Sequence, residues 1–364
     1  MATLKFAGAW RAAAALWAVL AGTAACGTQG DASVLPDRWP RSGLSGYRFV
    51  DADAPYALGR FGWDLDEPAI LASNAPAGSS ADTVEIWGRM SPRLSPEKTV
   101  LFRASLPVAK LNAEAEPDEV LAAEAAWEGA GLRSPAPVRL AGSDGKEQIL
   151  LFYQGAAGDV GLAVVKGDTV EKVSQSAPLW SASELTGSAG AKLGRVAVVA
   201  ADERVSLFFS VDDRDLRVAD CEQAALLRYL AAPDARPPLR LGPTLLTASA
   251  TPVPPGDSKA MPAERIAQAA VRRQVTPVGR VRWDVALNGQ AGRETVLLAA
   301  SAYAAADDPA RVGPVTGFLP VEAALIKTME GTVGAPAFTT VAGRQLLFFG
   351  LRSVASQVAV AAQP

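Results

Sequence analysis

Residues 134–165 read SPAPVRLAGSDGKEQILLFYQGAAGDVGLAVV, and the fold is decided here. A Pro-containing start leads into an alternating apolar segment, Gly142-Ser143-Asp144-Gly145 makes a polar turn, and Ile149–Tyr153 forms a second strand ending in two aromatic rings. After a Gly-rich turn, Val160–Val165 supplies a third strand. β-Branched and aromatic residues set between Gly, Asp and Ser turns are the signature of hairpin-linked strands. The same order returns as GAPAFTTVAGRQLLFFGLRSVASQVAVAA at 334–362 and LGRVAVVAADERVSLFFSVDDRDLRVAD at 193–220. Looser copies occupy 67–105 and 280–304, which makes five.

Five meander-like units in one chain predict an all-β fold, a five-bladed β-propeller in which blades of about four strands pack around a central channel. One unit cannot bury both of its faces, so the copies belong to one domain rather than five. A pair of β-sandwiches, the alternative architecture, would not reuse one strand-aromatic-strand cassette five times. The last copy stops after Val358–Ala362 with three strands, and Gly46-Tyr47-Arg48-Phe49-Val50 precedes the first copy without another partner. This N-terminal strand is predicted to complete the fifth blade and so remove an exposed edge. Residues 107–131, rich in Ala and Glu, and residues 232–278, which hold nine of the 26 prolines, read as insertions. Helical periodicity is confined to short stretches, notably Asp118–Trp127 and Ala263–Arg273.

The chain of 364 residues has no histidine, which excludes Ser-His-Asp triads, Cys-His pairs, His-ligated zinc and histidine proton shuttles. Acid-base work would fall to carboxylates, Lys, Tyr or a thiol. A formal charge of -3 gives no basic excess for tracking nucleic-acid phosphates. No pattern calls for a cofactor or a metal. The acidic runs Asp212-Asp213-Arg214-Asp215 and Asp307-Asp308 lack the fixed oxygen spacing calcium needs and read as solvated turns.

At the N-terminus, Lys5 and Arg11 precede an apolar run from Ala12 to Ala21, followed by small residues and Cys26. This is the layout of a secretory signal over residues 1–25, with an apolar centre too short to span a bilayer comfortably. Thr23-Ala24-Ala25-Cys26-Gly27 resembles the lipobox of bacterial lipoproteins, with Thr23 where Leu is usual. The resemblance implies lipidation of Cys26 and anchoring to a membrane of the cell envelope; ordinary secretion after Ala25 is the alternative. Residues 26–45 then form a flexible tether and 46–364 the propeller, expected to be a monomer. Removal of the signal leaves 33 basic against 38 acidic residues, a net charge of -5. Cys221 would pair with Cys26 only in the secreted alternative. Flanked by Asp220 and Glu222, it is a poor nucleophile.

Aligned by eye, the cassettes resemble the five-bladed propellers of glycoside hydrolase families 43, 32 and their relatives. The resemblance rests on Asp66-Glu67-Pro68-Ala69-Ile70, on Ser134-Pro135-Ala136-Pro137-Val138, and on Leu150-Leu151-Phe152-Tyr153 followed by Gly161-Leu162-Ala163. It implies an Asp opening the first inner strand, a second Asp that adjusts pKa and orientation, and a Glu proton donor on a later inner strand. Blade one offers Asp64, Asp66 and Glu67, and the fourth copy offers Asp284 after Trp283. The second, third and fifth copies open on Arg133-Ser134-Pro135, Lys192-Leu193-Gly194-Arg195 and Gly334-Ala335-Pro336, none with a carboxylate. Trp283 is a candidate sugar platform or a core residue. Arg133, Lys192, Arg195 and Arg282 stand at or near the starts of the aligned inner strands, where together they would make the channel mouth basic and suited to an acidic sugar or another anion.

Two functions follow as expectations. The first is a lipid-anchored, non-catalytic envelope propeller that binds a glycan or a protein, with Asp64, Arg133, Lys192, Arg195, Arg282 and Trp283 as ligand contacts. The second is a glycoside hydrolase using Asp66, Glu67 and Asp284, which requires two carboxyl groups facing one another across the bond to be cut.

Overall fold

The computed structural model describes residues 48–50, 56–71, 83–111, 115–142, 146–233, 235–253, 261–275, 281–291, 294–304, 312–320, 332–341, 344–352 and 356–362. Two short strands come first, β1 (Arg48–Phe49) and β2 (Tyr56–Leu58). Blade one is β3 (Trp63–Leu71), β4 (Thr83–Pro92), β5 (Val100–Pro107) and β6 (Asp118–Leu121). Blade two is β7 (Leu132–Ala141), β8 (Glu147–Gly155), β9 (Val160–Lys166) and β10 (Thr169–Lys172). Blade three comprises β11 (Leu193–Ala201), β12 (Arg204–Val211), β13 (Asp215–Glu222) and β14 (Arg240–Thr247). A small hairpin, β15 (Pro252–Val253) with β16 (Met261–Pro262), leads to blade four: β17 (Arg265–Val275), β18 (Val281–Ala291), β19 (Glu294–Ala304) and β20 (Val312–Pro320). Blade five contains β21 (Thr332–Val341), β22 (Arg344–Arg352) and β23 (Ser356–Ala362).

The first strands of the blades touch in cyclic order, β3 with β7, β7 with β11, β11 with β17, β17 with β21 and β21 with β3. That ring is the wall of the channel, and the chain is a five-bladed β-propeller. The N-terminal strand closes it as expected: Arg48 pairs with Ala362 and Phe49 with Ala361, antiparallel. β2 adds to the same edge, Tyr56 opposite Ala359.

The aromatic doublets of the sequence cassette have a simple cause. A middle strand of a blade is buried on both faces, and successive side chains point to opposite faces. Phe209 packs toward blade two and Phe208 toward blade four. Phe152 faces blade three while Tyr153 faces blade one. Phe348 and Phe349 divide in the same way between blades one and four. Each doublet therefore supplies one ring to each of two blade interfaces, including the parallel stack of Phe152 on Trp180 (centroids 6.2 Å apart).

Three expectations are corrected. Within Asp118–Trp127, residues 118–121 are the outer strand β6, and only Ala126–Glu128 makes a 3-10 turn. Ala263–Arg273 holds most of β17, the inner strand of blade four, rather than a helix. Alanines crowd this stretch because the inner strands converge on the channel, where small side chains pack, and short apolar runs do not separate strand from helix. The segment 232–278 is accordingly not an insertion, since it contributes β14 to blade three and β17 to blade four. Two α-helices are present among the described residues, α1 (Ala182–Thr186), with Ser181 and Glu184 as a capping box, and α2 (Gln223–Ala231). Cys221 is buried and free, and burial, with Asp220 and Glu222 adding to it, pushes its thiol up to about 12. The signal segment, Cys26, the tether and Asp307-Asp308 lie outside the described residues.

Leu58, fully buried where the N-terminal segment meets blades one and five, tests the closure. Leu58→Ala is expected to lower stability by about 3 kcal/mol in urea unfolding. A change within about 0.5 kcal/mol, the size of an ordinary surface substitution, would mean that β2 is not a working part of the ring.

Candidate functional site

Every inner strand breaks register at the same height. The shifts fall between Asp66 and Ala69, Arg133 and Ala136, Leu193 and Val196, Ala267 and Ala270, and Val333 and Pro336. A β-bulge re-aims side chains and sits often beside functional sites. Three of the five bulges place a non-glycine residue at positive φ: Glu67 (54°), Ser134 (52°) and Gln268 (54°). The residues re-aimed at the channel mouth are thus Glu67, Ser134, Gly194, Gln268 and Gly334.

Polar ties between blades girdle this level. Ser134 N donates to Glu67 Oε2 (2.6 Å), joining blades two and one. Gln154 Nε2 donates to Gly194 O (3.1 Å), and Val196 N donates to Gln154 Oε1 (3.2 Å), joining two and three. Ile266 N donates to Asp213 O (2.7 Å) between three and four, and Asn288 Nδ2 approaches Val333 O (3.5 Å) between four and five. Ser356 N donates to Asp64 Oδ1 (3.0 Å), closing five onto one.

Below these ties, Arg195 crosses the channel. Its Nη1 donates to Pro336 O of blade five (3.0 Å) and its Nη2 to Pro68 O of blade one. Burial pulls this guanidinium down from its ordinary pKa, and Glu67 and Asp66 oppose the pull. The charge is fixed inside the ring, not presented at its rim.

Among the described residues, two chambers at the mouth share Gln268 and Asn288, whose amides are bonded to one another (Nδ2 to Oε1, 3.2 Å). One chamber, about 250 Å³, is lined by Glu67, Arg133, Lys192, Arg195, Asp213, Arg265, Gln290 and Thr295 besides the shared amides. The other, about 320 Å³, is lined by Asp64, Asp66, Arg89, Ser91, Arg352 and Ser356. Consecutive residues Asp66 and Glu67 therefore serve different chambers. Arg89 of β4 stands between them, Nη2 3.5 Å from Asp66 Oδ2 and Nη1 3.7 Å from Glu67 Oε1.

Burial would raise the Glu67 carboxyl, but Arg89, Arg195, the Ser134 N–H and Arg133 outweigh it and hold the group below the usual glutamate range. Asp66 is raised by burial, which Arg89 offsets only in part. Its Oδ1 accepts from Glu67 N (2.7 Å) and packs against two glycines; a Cβ on Gly350 would lie 2.2 Å from that oxygen. Asp213 is also held low, because Lys192 (2.8 Å) and Arg265 bind it more strongly than burial penalises it.

The sequence candidates divide accordingly. Asp64, Asp66, Glu67, Arg133 and Lys192 reach the mouth, and Arg195 lines one chamber from inside the ring. Asp284, Trp283 and Arg282 do not, which corrects their assignment to an inner strand. They belong to β18, the second strand of blade four, where Asp284 pairs across to Arg272 while Arg265 pairs with Gln290. Asp284 thus stands four residues, about 13 Å, down the strand from Asn288 at ~3.3 Å per residue. It is buried with Arg282 Nε 2.7 Å from its Oδ1 and Arg272 at 3.4 Å. Trp283, 1% exposed, packs against Phe208 with centroids 5.5 Å apart and is core. Residues missed in the sequence are Arg89, Asp213, Arg265, Gln268 and Asn288. Asp213, expected to be a solvated turn residue, is buried at positive φ.

No protein-family model matches the sequence, and neither does any curated protein. Among solved structures, the chain is similar to the catalytic domain of the GH62 α-L-arabinofuranosidase of Coprinopsis cinerea. That match has 8% identity and a TM-score of 0.51, and covers 88% of this chain and 95% of the other. A levansucrase complexed with sucrose matches at 8% identity and TM-score 0.51, over 90% and 89% of the two chains. A structure described as a glycoside hydrolase matches at 12% identity and TM-score 0.52, over 90% and 93%. The propeller is shared with glycoside hydrolase structures. At these identities the likeness is one of fold.

Because Glu67 is held low, its contribution to stability is present above the glutamate range and lost as pH falls through it. Glu67→Gln is expected to cost about 3 kcal/mol at pH 7, leaving Arg89 and Arg195 with one counter-charge fewer in a buried place, and to flatten the decline in stability below pH ~4.5. Urea unfolding at both pH values measures this; an unchanged acid limb would mean Glu67 carries no such linkage.

Proposed function

We propose that this chain is a glycan-binding, non-catalytic β-propeller of the bacterial cell envelope, held to a membrane through lipid on Cys26. The observation that carries the non-catalytic reading is the position of Arg89. A glycosidase needs two carboxyl groups across the scissile bond, about 5–10 Å apart, with sugar between them. Here Asp66 and Glu67 are neighbours on one strand, and the space between them holds a guanidinium. The contrast in their proton affinities, one raised and one lowered, is what acid-base hydrolysis would use. It acts here on groups that line separate chambers.

The other re-aimed positions, Ser134, Gly194, Gln268 and Gly334, bear no carboxyl group. Asp213 does line the chamber with Glu67, but Lys192 and Arg265 keep it ionised, which disqualifies it as a proton donor. Binding is supported by concave polar chambers at the mouth, and a glycan by their mixture of amides and charges. The fold neighbours include an arabinofuranosidase and a levansucrase complexed with sucrose, both carbohydrate-active.

The full-length protein is expected to bind glycans from plant or bacterial polysaccharides while releasing no reducing sugar from them. Sugar release that disappears in Asp66→Asn would overturn the non-catalytic reading. For the anchor, Cys26→Ser is expected to move the protein out of the membrane fraction; unchanged partitioning would refute lipidation at that residue.

A further inference from the structure

Resting on the glycan-binding reading above, we infer that the ligand carries a uronic acid, and that its carboxylate enters the chamber lined by Arg133, Lys192 and Arg265. The first argument is charge. Arg133, Lys192, Arg195 and Arg265 line this chamber against only Glu67 and Asp213, an excess of two positive charges. The neighbouring chamber is balanced, with Asp64 and Asp66 against Arg89 and Arg352. A chain that is acidic as a whole sets four cations against two carboxylates at this chamber, and an anion is what such a chamber attracts and retains.

The second argument is mobility. Arg133 is anchored by donating to Leu193 O (3.1 Å) and cannot travel far. Lys192 and Arg265 have side chains 58% and 55% exposed, both leaning on the one buried carboxylate of Asp213. Two cations sharing one carboxylate can turn toward a second anion without leaving the first unpaired. The arrangement is a half-filled receptor: Asp213 orients the cations, and a ligand carboxylate completes the charge set.

The third argument is size and lining. A chamber of about 250 Å³ falls just below the roughly 300–1,000 Å³ typical of pockets for drug-sized ligands, so it suits one sugar unit rather than a chain. The bonded amides of Gln268 and Asn288 form the shared wall, a donor-acceptor surface suited to hydroxyl groups. An acidic unit in the cationic chamber can therefore continue across these amides into the balanced chamber as a neutral neighbour. The motif recognised is an acidic unit followed by a neutral one, with the acid fixing orientation.

Calorimetric titration of the full-length protein with galacturonate-, glucuronate- and mannuronate-containing oligosaccharides tests this. Each is paired with its carboxyl-reduced counterpart and with a sulfated oligosaccharide of equal length. A uronate oligosaccharide is expected to bind, to lose roughly tenfold or more in affinity on carboxyl reduction, and to weaken steeply with salt. Lys192→Gln with Arg265→Gln is expected to weaken binding by a similar factor. Asp213→Asn, which removes a competing anion, is expected to tighten it several-fold. These opposite signs separate ligand electrostatics from damage to the fold. Equal affinity for the acidic and reduced forms overturns the inference while leaving glycan binding intact, and so does a preference for sulfate over carboxylate. Binding of no glycan overturns both.

Discussion

Arg195 is the constraint on which the channel depends. A ring of five inner strands leaves backbone carbonyls pointing into a low-dielectric bore, and buried carbonyls need donors. One guanidinium meets that need at Pro336 and Pro68, binding blade three to blades five and one at once. Its charge in turn requires the carboxylates Glu67 and Asp66 close above it, and Glu67 brings in Arg89, Arg133 and the Ser134 N–H. The polar architecture of the mouth is thus a chain of compensations that begins with a single buried cation.

That ordering explains why Glu67 is a poor reagent. A group already satisfied by two guanidiniums and a backbone N–H has little left to offer a substrate. The same saturation makes the residues good structural ties. Asp64 holds the fifth blade to the first through Ser356 N, and Glu67 holds the second to the first. The left-handed backbone at Glu67, Ser134 and Gln268 is strain kept where side chains must turn toward the mouth.

Much of the fold was legible because blade interfaces impose a local pattern. A doublet such as Phe208-Phe209 can be read from a single strand, since its two rings answer to two neighbours. The site was legible in part: Arg133, Lys192 and Arg195 stand beside Ser134 and Gly194, the small residues that open the inner strands of blades two and three. In blade four the sequence pattern falls one strand late. Its inner strand, with Ile266-Ala267-Gln268-Ala269-Ala270, has helical spacing, and its second strand lacks the aromatic doublet that marks β8, β12 and β22, so the cassette pattern begins only at Trp283-Asp284, on that second strand. Arg265, Gln268 and Asn288 carry no signal in that shifted pattern. Asp213 and Arg89 carry no local signal, since an acid in a turn and an arginine in a strand look solvated until another blade covers them.

Closure of blade five by β1 also has a kinetic side. Arg48 meets Ala362, so the contact that completes the ring joins residues more than 300 positions apart, far above the separations within any blade. Local hairpins form quickly, whereas long-range pairing must first overcome a large loop-closure entropy. Four blades can assemble as the chain emerges, each from consecutive residues, but the last edge stays open until the final strand is made. During that interval the molecule is an unclosed arc with two unpaired edges, and its vulnerability to aggregation is concentrated there.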